Sequence, residues 1–303
     1  IETISTQTLS PHWDQIEKRL HIAEWPLEMI NANNKVLWDG LGKLGYERGL
    51  IRRNVNNCHN LGYCGMGCPV DAKQSMLVTV IPDAVEAGVT LYANTSARVL
   101  DWDGRKVTAV RAEVLDDATR KPTGVKVVVK AKVTVVSGGA INSPGLLMRS
   151  QLMSEGRVGE KTWFHPVLLM MGLFEHEVNA FRGAPQSVYS HHFVDRGPGK
   201  MGYFLEVPPV HPMLASTTAT GSGAETMELM TKFNRLNVML AIHVDGLSPD
   251  EEGGTVRLRD GAYNRYSIKY AFTPAHWEAF RSACKEMAKL QFAAGATMVR
   301  GLE

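Results

Sequence analysis

Long apolar runs are scarce in this chain of 303 residues. The longest, residues 167–174, reads VLLMMGLF. A membrane-spanning helix needs about 20 apolar residues, so this run is too short to cross a bilayer. An excess of one charge is also missing. Lys and Arg number 33 against 31 Asp and Glu, for a net charge of +2. The signs are interspersed, which argues against a nucleic-acid platform. Cysteine is rare, at four residues, and does not form the framework of a disulfide-stapled secreted domain. Internal repeats and low-complexity tracts are absent, which sets aside repeat arrays. What remains is globular: 44% hydrophobic and 21% charged residues, with length for one large core or two smaller ones. The 14 methionines are scattered and read as core filler.

The rare cysteines are not scattered. Three of the four stand at 58, 64 and 68, in the segment CHNLGYCGMGCPVDAKQS of residues 58–75. Gly62, Gly65 and Gly67 interleave them. Glycine permits positive φ and sharp turns, so the sulfurs of Cys58, Cys64 and Cys68 are expected to converge. Cys284 lies on an amphipathic helix over 274–294, in a stripe with Trp277, Phe280, Met287 and Gln291. It reads as a buried small hydrophobe.

Helices are expected over 12–20, from Pro26 to Trp38, and over 75–87, where Gly88 ends the last. From 89 to 136 the pattern turns to strands. Residues 89–92 are short and apolar, and 97–102 and 107–114 flank the hairpin signal Asp103-Gly104. A turn is expected over 119–124. The run 133–136 is β-branched and reads as a buried central strand, followed by Ser137, Gly138 and Gly139 and then a helix from Pro144. Beyond Gly159, candidate strands at 167–174, 201–207, 237–245, 255–259 and 267–272 have long Gly/Pro-rich connections, which favours an antiparallel sheet.

Five segments together resemble the glucose–methanol–choline (GMC) flavoprotein oxidoreductases, in particular their cysteine-bearing branch of long-chain alcohol oxidases and bacterial dehydrogenases. They are the cysteine run with the helix after it, RVLDWDGRKVTAV at 98–110, VTVVSGGAINSPGLLMRS at 133–150, VGEKTWFHP at 158–166 and GTVRLRDGAYNRYSIKY at 254–270. The resemblance implies an α+β fold. Residues 1–78 would be a helical segment with the cysteine loop. Residues 79–160 would be part of an FAD-binding domain. Residues 161–303 would be a substrate domain with a mainly antiparallel sheet backed by helices.

It further implies an FAD-dependent enzyme that oxidises a CH–OH donor, an alcohol or a sugar, by hydride transfer to flavin. By position, Val99 would meet the adenine through its backbone, and Ser137, Gly138, Gly139 and Ala140 would lie near the cofactor. The family's N-terminal pyrophosphate loop and C-terminal catalytic His have no counterpart here. The chain therefore reads as an internal portion of a longer enzyme, with no catalytic residue of its own. Gly40, Gly42 and Gly45 match the dinucleotide fingerprint literally, but a helix precedes them, so they read as a helix end. His211-Pro212 is misplaced for the catalytic pair. His165-Pro166 matches a family His-Pro, but Phe164 replaces its usual Asp, which points to packing.

The spacing Cys-x5-Cys-x3-Cys-Pro leaves three readings open. Cys58, Cys64 and Cys68 could hold an iron–sulfur cluster, as some sugar dehydrogenases of the family do, with electrons leaving to an accepting protein. They could hold zinc with His59. They could be structural cysteines, reduced or disulfide-linked. An iron–sulfur electron-transfer module without substrate chemistry is the competing function. Localisation, cytoplasmic or periplasmic, stays open.

Overall fold

A computed structural model describes residues 4–153, 156–218, 223–246, 252–259 and 265–301. Seven helices and thirteen strands occur among these residues, and every strand pair is antiparallel. The fold is α+β. The chain forms two compact units: residues 1–88, 165–245 and 273–303 make unit 1, and 89–164 with 246–272 make unit 2.

Unit 1 holds α1 (Thr6–Arg19), β1 (Ile22–Glu24), α2 (Ala32–Leu44), β2 (Gly49–Leu50), β3 (Arg52–Asn54) and α3 (Val80–Glu86). In unit 2 follow β4 (Thr95–Trp102), β5 (Val107–Leu115), β6 (Pro122–Val129) and α4 (Gly139–Arg149). The chain returns to unit 1 for β7 (Val167–Leu173), β8 (Val188–Ser190), β9 (Gly202–Glu206), α5 (Pro212–Thr218), α6 (Ala224–Thr231) and β10 (Leu236–Val244). Unit 2 then takes β11 (Thr255–Leu258) and β12 (Tyr266–Lys269), and unit 1 closes with α7 (Pro274–Ala294) and β13 (Met298–Gly301).

The centre of unit 1 is a six-stranded sheet in the order β13-β7-β10-β9-β8-β2. β10 is buried along most of its length, as a central strand covered on both faces must be. Its Met239 and Ala241 pack with Leu37 and Leu41 of α2 and with Ala283, Met287 and Leu290 of α7. α2 and α7 meet where α2 has no side chain: a Cβ on Gly40 would lie 2.6 Å from the Leu290 carbonyl oxygen. The literal dinucleotide fingerprint is therefore a helix–helix contact followed by a C-cap, since Gly45 takes φ 69° and ends α2.

α2 begins later than Pro26. Residues 27–29 make one 3-10 turn, and Asn31 caps the helix by accepting from the Asn34 N–H at 2.9 Å. Asn33 and Asn34 then serve as buried connectors. The Asn34 Oδ1 accepts from the N–H groups of Ser187 and Val188 at 3.0 and 3.1 Å. The Asn33 Oδ1 accepts from the Asn237 Nδ2 at 2.6 Å. Backbone donors that the sheet leaves unmatched are satisfied in this way.

In unit 2, β4, β5 and β6 form one sheet, and β11 and β12 a separate hairpin. The Asp103-Gly104 hairpin forms as expected, with the Asp103 carboxylate accepting from the N–H groups of Arg105 and Lys106 at 3.0 Å each. The turn expected over 119–124 ends sooner, because β6 starts at Pro122. Two expected strands are absent. Residues 89–92 and 133–136 lie outside any described strand, with Val133 and Val135 77% and 80% exposed. A β-branched run becomes a central strand only where neighbours meet its backbone and both faces, and β4–β6 offer this run neither. Within the resembling segment 254–270, residues 260–264 lie outside the described residues.

Candidate functional site

Unit 2 contains a cavity of about 380 Å³. It forms where α4 is fastened to β4. The Ser150 hydroxyl, just past α4, accepts from the Leu100 N–H at 2.8 Å and donates to the Leu146 carbonyl at 2.7 Å. Arg149 donates from Nε to the Arg98 carbonyl at 2.9 Å and from Nη1 to the Tyr266 hydroxyl at 3.3 Å. Tyr266 can lie this close because α4 is bare at Gly145, where a Cβ would be 2.2 Å from the Tyr266 ring.

The walls combine Ser96, Ala97 and Leu100 of β4, the extended residues 134–138, and Asn142, Ser143, Leu146 and Arg149 of α4. Thr134 and Val136 are half-buried while Val133 and Val135 face outward, the alternation of extended backbone. α4 has Gly138 at its N-cap, which supplies no capping side chain. Its first N–H groups lack helical partners, an arrangement that suits an anion. Arg149 donates to neutral oxygens and lines the same space. Arg98 nearby is already paired with the Glu113 carboxylate at 3.2 Å. Its burial lowers its pKa, Glu113 opposes that shift, and Arg149 adds to it.

Of the residues singled out for FAD, Ser137 and Gly138 line this cavity. Gly139 and Ala140 form the first turn of α4. Val99 lies in β4 paired with Arg111, while its neighbours in β4, Ala97 and Leu100, reach the cavity wall. Sequence reasoning missed Asn142, Arg149 and Tyr266. The spacing of 142, 146 and 149 is the i, i+4, i+7 face of a helix and marks the first two. Nothing local marks Tyr266, which comes from a distant stretch. The donors, the cation and the open helix end fit the polar, anionic part of a dinucleotide.

The cysteine loop belongs to unit 1. It is closed at its base, where the Asn56 N–H donates to the Ala72 carbonyl at 2.8 Å and the Gln74 N–H to the Asn54 carbonyl at 2.9 Å. His211 braces the loop through Nε2, 2.9 Å from the Gly62 carbonyl. No disulfide joins Cys58, Cys64 and Cys68, which are half-buried and line one recess of about 20 Å³. The Arg53 Nη2 donates to the Cys64 sulfur at 3.6 Å. Burial pushes the Cys68 thiol up, but the N–H groups of Lys73, Val70 and Ala72 outweigh it and leave its pKa lowered. Among the described residues, no group of three or more His, Cys, Asp or Glu side chains is placed to hold a metal ion.

His165 and Pro166 take part in packing. The His165 Nδ1 lies 3.0 Å from the His243 carbonyl, and the His243 Nδ1 lies 2.9 Å from the Pro166 carbonyl. A second, apolar cavity of unit 1, about 280 Å³, lies over β7 and β10, with Leu169, Met171, Leu214, Met230, Phe233 and Val238 in its wall.

Residues 1–167, more than half of the chain, match the family model described as GMC oxidoreductase, and the chain belongs to that family. It is 31% identical over 287 residues to a GMC-type oxidoreductase of Mycobacterium tuberculosis, covering 94% of this chain and 42% of the relative. With a long-chain-alcohol oxidase of Arabidopsis thaliana it shares 28% identity over 298 residues, covering 93% and 37%. The chain thus spans less than half the length of these relatives. Among solved structures, pyridoxine 4-oxidase from Mesorbium loti has a TM-score of 0.51 at 16% identity, covering 90% of this chain and 52% of its own. Formate oxidase from Aspergillus oryzae has a TM-score of 0.56 at 12% identity, covering 89% and 53%. These two likenesses concern the fold alone.

Proposed function

We propose that this chain is part of an FAD-dependent oxidoreductase that oxidises a CH–OH donor, and that unit 2 holds the polar part of the cofactor. The carrying observation is the unit 2 cavity, where the uncapped start of α4 and the Arg149 guanidinium face one space. FAD, when bound, supplies the acceptor for the substrate's hydride. The chain's own part is binding. Arg149 balances phosphate charge, and the N–H groups at the start of α4 donate to phosphate oxygens. Asn142, Ser143 and Ser137 meet hydroxyls, and Leu100, Val110 and Leu146 exclude water.

The apolar cavity of unit 1 favours a donor with an aliphatic portion, and a long-chain-alcohol oxidase among the relatives supports the same substrate class. Titration of FAD by fluorescence tests the reading. Arg149→Gln should weaken binding about fivefold to tenfold, the size of one charge-assisted hydrogen bond, while Arg105→Gln on the exposed hairpin should leave it unchanged. Equal losses in both variants, or none, would remove the assignment.

A further inference from the structure

A cavity of about 330 Å³ in unit 1 has no part in the function proposed above. It opens between β3, the closed base of the cysteine loop and the 185–186 turn, with Arg53, Cys64, Lys73, Gln186 and Glu206 in its wall. All of these residues belong to unit 1, whereas the cofactor cavity is built from unit 2.

Its charges follow from strand alternation. Along β3, Arg52 and Arg53 point to opposite sides. Arg52 is spent on a two-pronged pair with Glu17, at 2.7 and 2.6 Å. Arg53 lies with its guanidinium carbon 4.9 Å from the centre of the Trp25 ring. Among the described residues, its Nη2 reaches only the weak acceptor Cys64 Sγ, and its Nη1 is buried with no hydrogen-bond partner. Lys73 is carried to the same wall by the bridge between Val55 and Lys73, and its Nζ donates to the Cys64 carbonyl at 3.2 Å. Neither cation is paired with a carboxylate among the described residues. The one acid in the wall, Glu206, has its pKa raised by burial, and its carboxylate is engaged by the Gln186 Nε2 at 2.8 Å.

We propose that this cavity is a binding site for an anionic oxygen group, a carboxylate or a phosphate, received by the Arg53 fork and the Lys73 ammonium. A buried charged donor without an acceptor is costly to keep. The planar guanidinium, stacked on Trp25, lines the cavity with a fork of donors whose geometry suits such anions. Lys73 adds a point charge from the base of the cysteine loop.

Cys64 reports occupancy without any mutation, because it lines this cavity while Cys58 and Cys68 do not. The test is iodoacetamide alkylation of the wild-type chain, followed thiol by thiol by peptide mass spectrometry, with acetate or inorganic phosphate titrated in. A saturable slowing at Cys64 of about fivefold or more, not shared by Cys58 or Cys68, is the expected result for a filled pocket. Protection by phosphate alone assigns a phosphate-bearing ligand, and protection by acetate alone a carboxylate-bearing one. Arg53→Gln and Lys73→Gln should each weaken the protecting anion about tenfold, and Arg53→Lys less, since it keeps the charge. Arg149→Gln should leave Cys64 protection unchanged, so failure here and failure of the cofactor assignment are distinguishable. No protection by either anion, or equal slowing at all three thiols, overturns the proposal.

Discussion

Gly40 shows how two opposing effects on one residue can be ranked. Exchanging a helical glycine for alanine ordinarily stabilises by about 1 kcal/mol. Here the new methyl would lie 2.6 Å from the Leu290 carbonyl oxygen, a backbone atom of the facing helix that cannot swing away. Overpacking of this kind costs about 1–3 kcal/mol, so Gly40→Ala should lower stability, measured as a fall in the urea midpoint. An unchanged or raised midpoint would show that α2 and α7 can separate without cost. His243 gives a pH-dependent counterpart. It is fully buried, its Nε2 has no partner, and burial lowers its pKa from the ordinary 6.5. The folded state then binds fewer protons than the unfolded one, so stability is present above the ordinary value and declines as pH falls through it. Thermal melts between pH 7.5 and 5.5 should show this decline, and His243→Phe should flatten it. An identical slope in the variant would assign the effect elsewhere.

At the scale of elements, what could be read from the sequence depended on whether the signal was local. The helix expected over 274–294 is α7 to the residue, because its start and stop are written in adjacent positions, Pro274 in the first turn and Gly295 with φ 111° after the last. Its inward face was read less well. Trp277 is 51% exposed, while His276, Ala279 and Ala283 are buried, since the neighbours of α7 come from distant stretches. The β4–β5 hairpin was legible from Asp103-Gly104. The run 133–136 was misread because its β-branched residues state a preference that only pairing can realise. Val133→Lys and Val135→Lys should therefore change the stability of this chain by no more than about 0.5 kcal/mol, as at other exposed positions. A loss of several kcal/mol in chemical denaturation would show that the run is buried after all. Of the unit 2 cavity proposed for the cofactor, Ser137 and Gly138 stand at the Gly-Gly junction that the sequence marks. Arg149 and Tyr266 depend on the packing of α4 against β12, which no local pattern records.

At the scale of the molecule, membership of a family does not by itself carry catalysis. The chain belongs to the GMC oxidoreductase family by its match over residues 1–167, and it spans less than half the length of the relatives it matches. The purified 303-residue chain with added FAD should turn over no alcohol, sugar or aldehyde in a dye-reduction assay. Measurable turnover would place a complete active site within these residues.

The two-unit division also bears on how the molecule comes apart. The backbone passes between the units after Gly88, Phe164, Asp245 and Phe272. Unit 2 is thus assembled from two separate stretches, held together by the paired bonds of Thr162 with Gly254, at 2.8 and 2.7 Å, and by Arg149 with Tyr266. One protease nick at any of those passages cannot release it. The chain would migrate as fragments on a denaturing gel while still eluting as an intact particle from a sizing column.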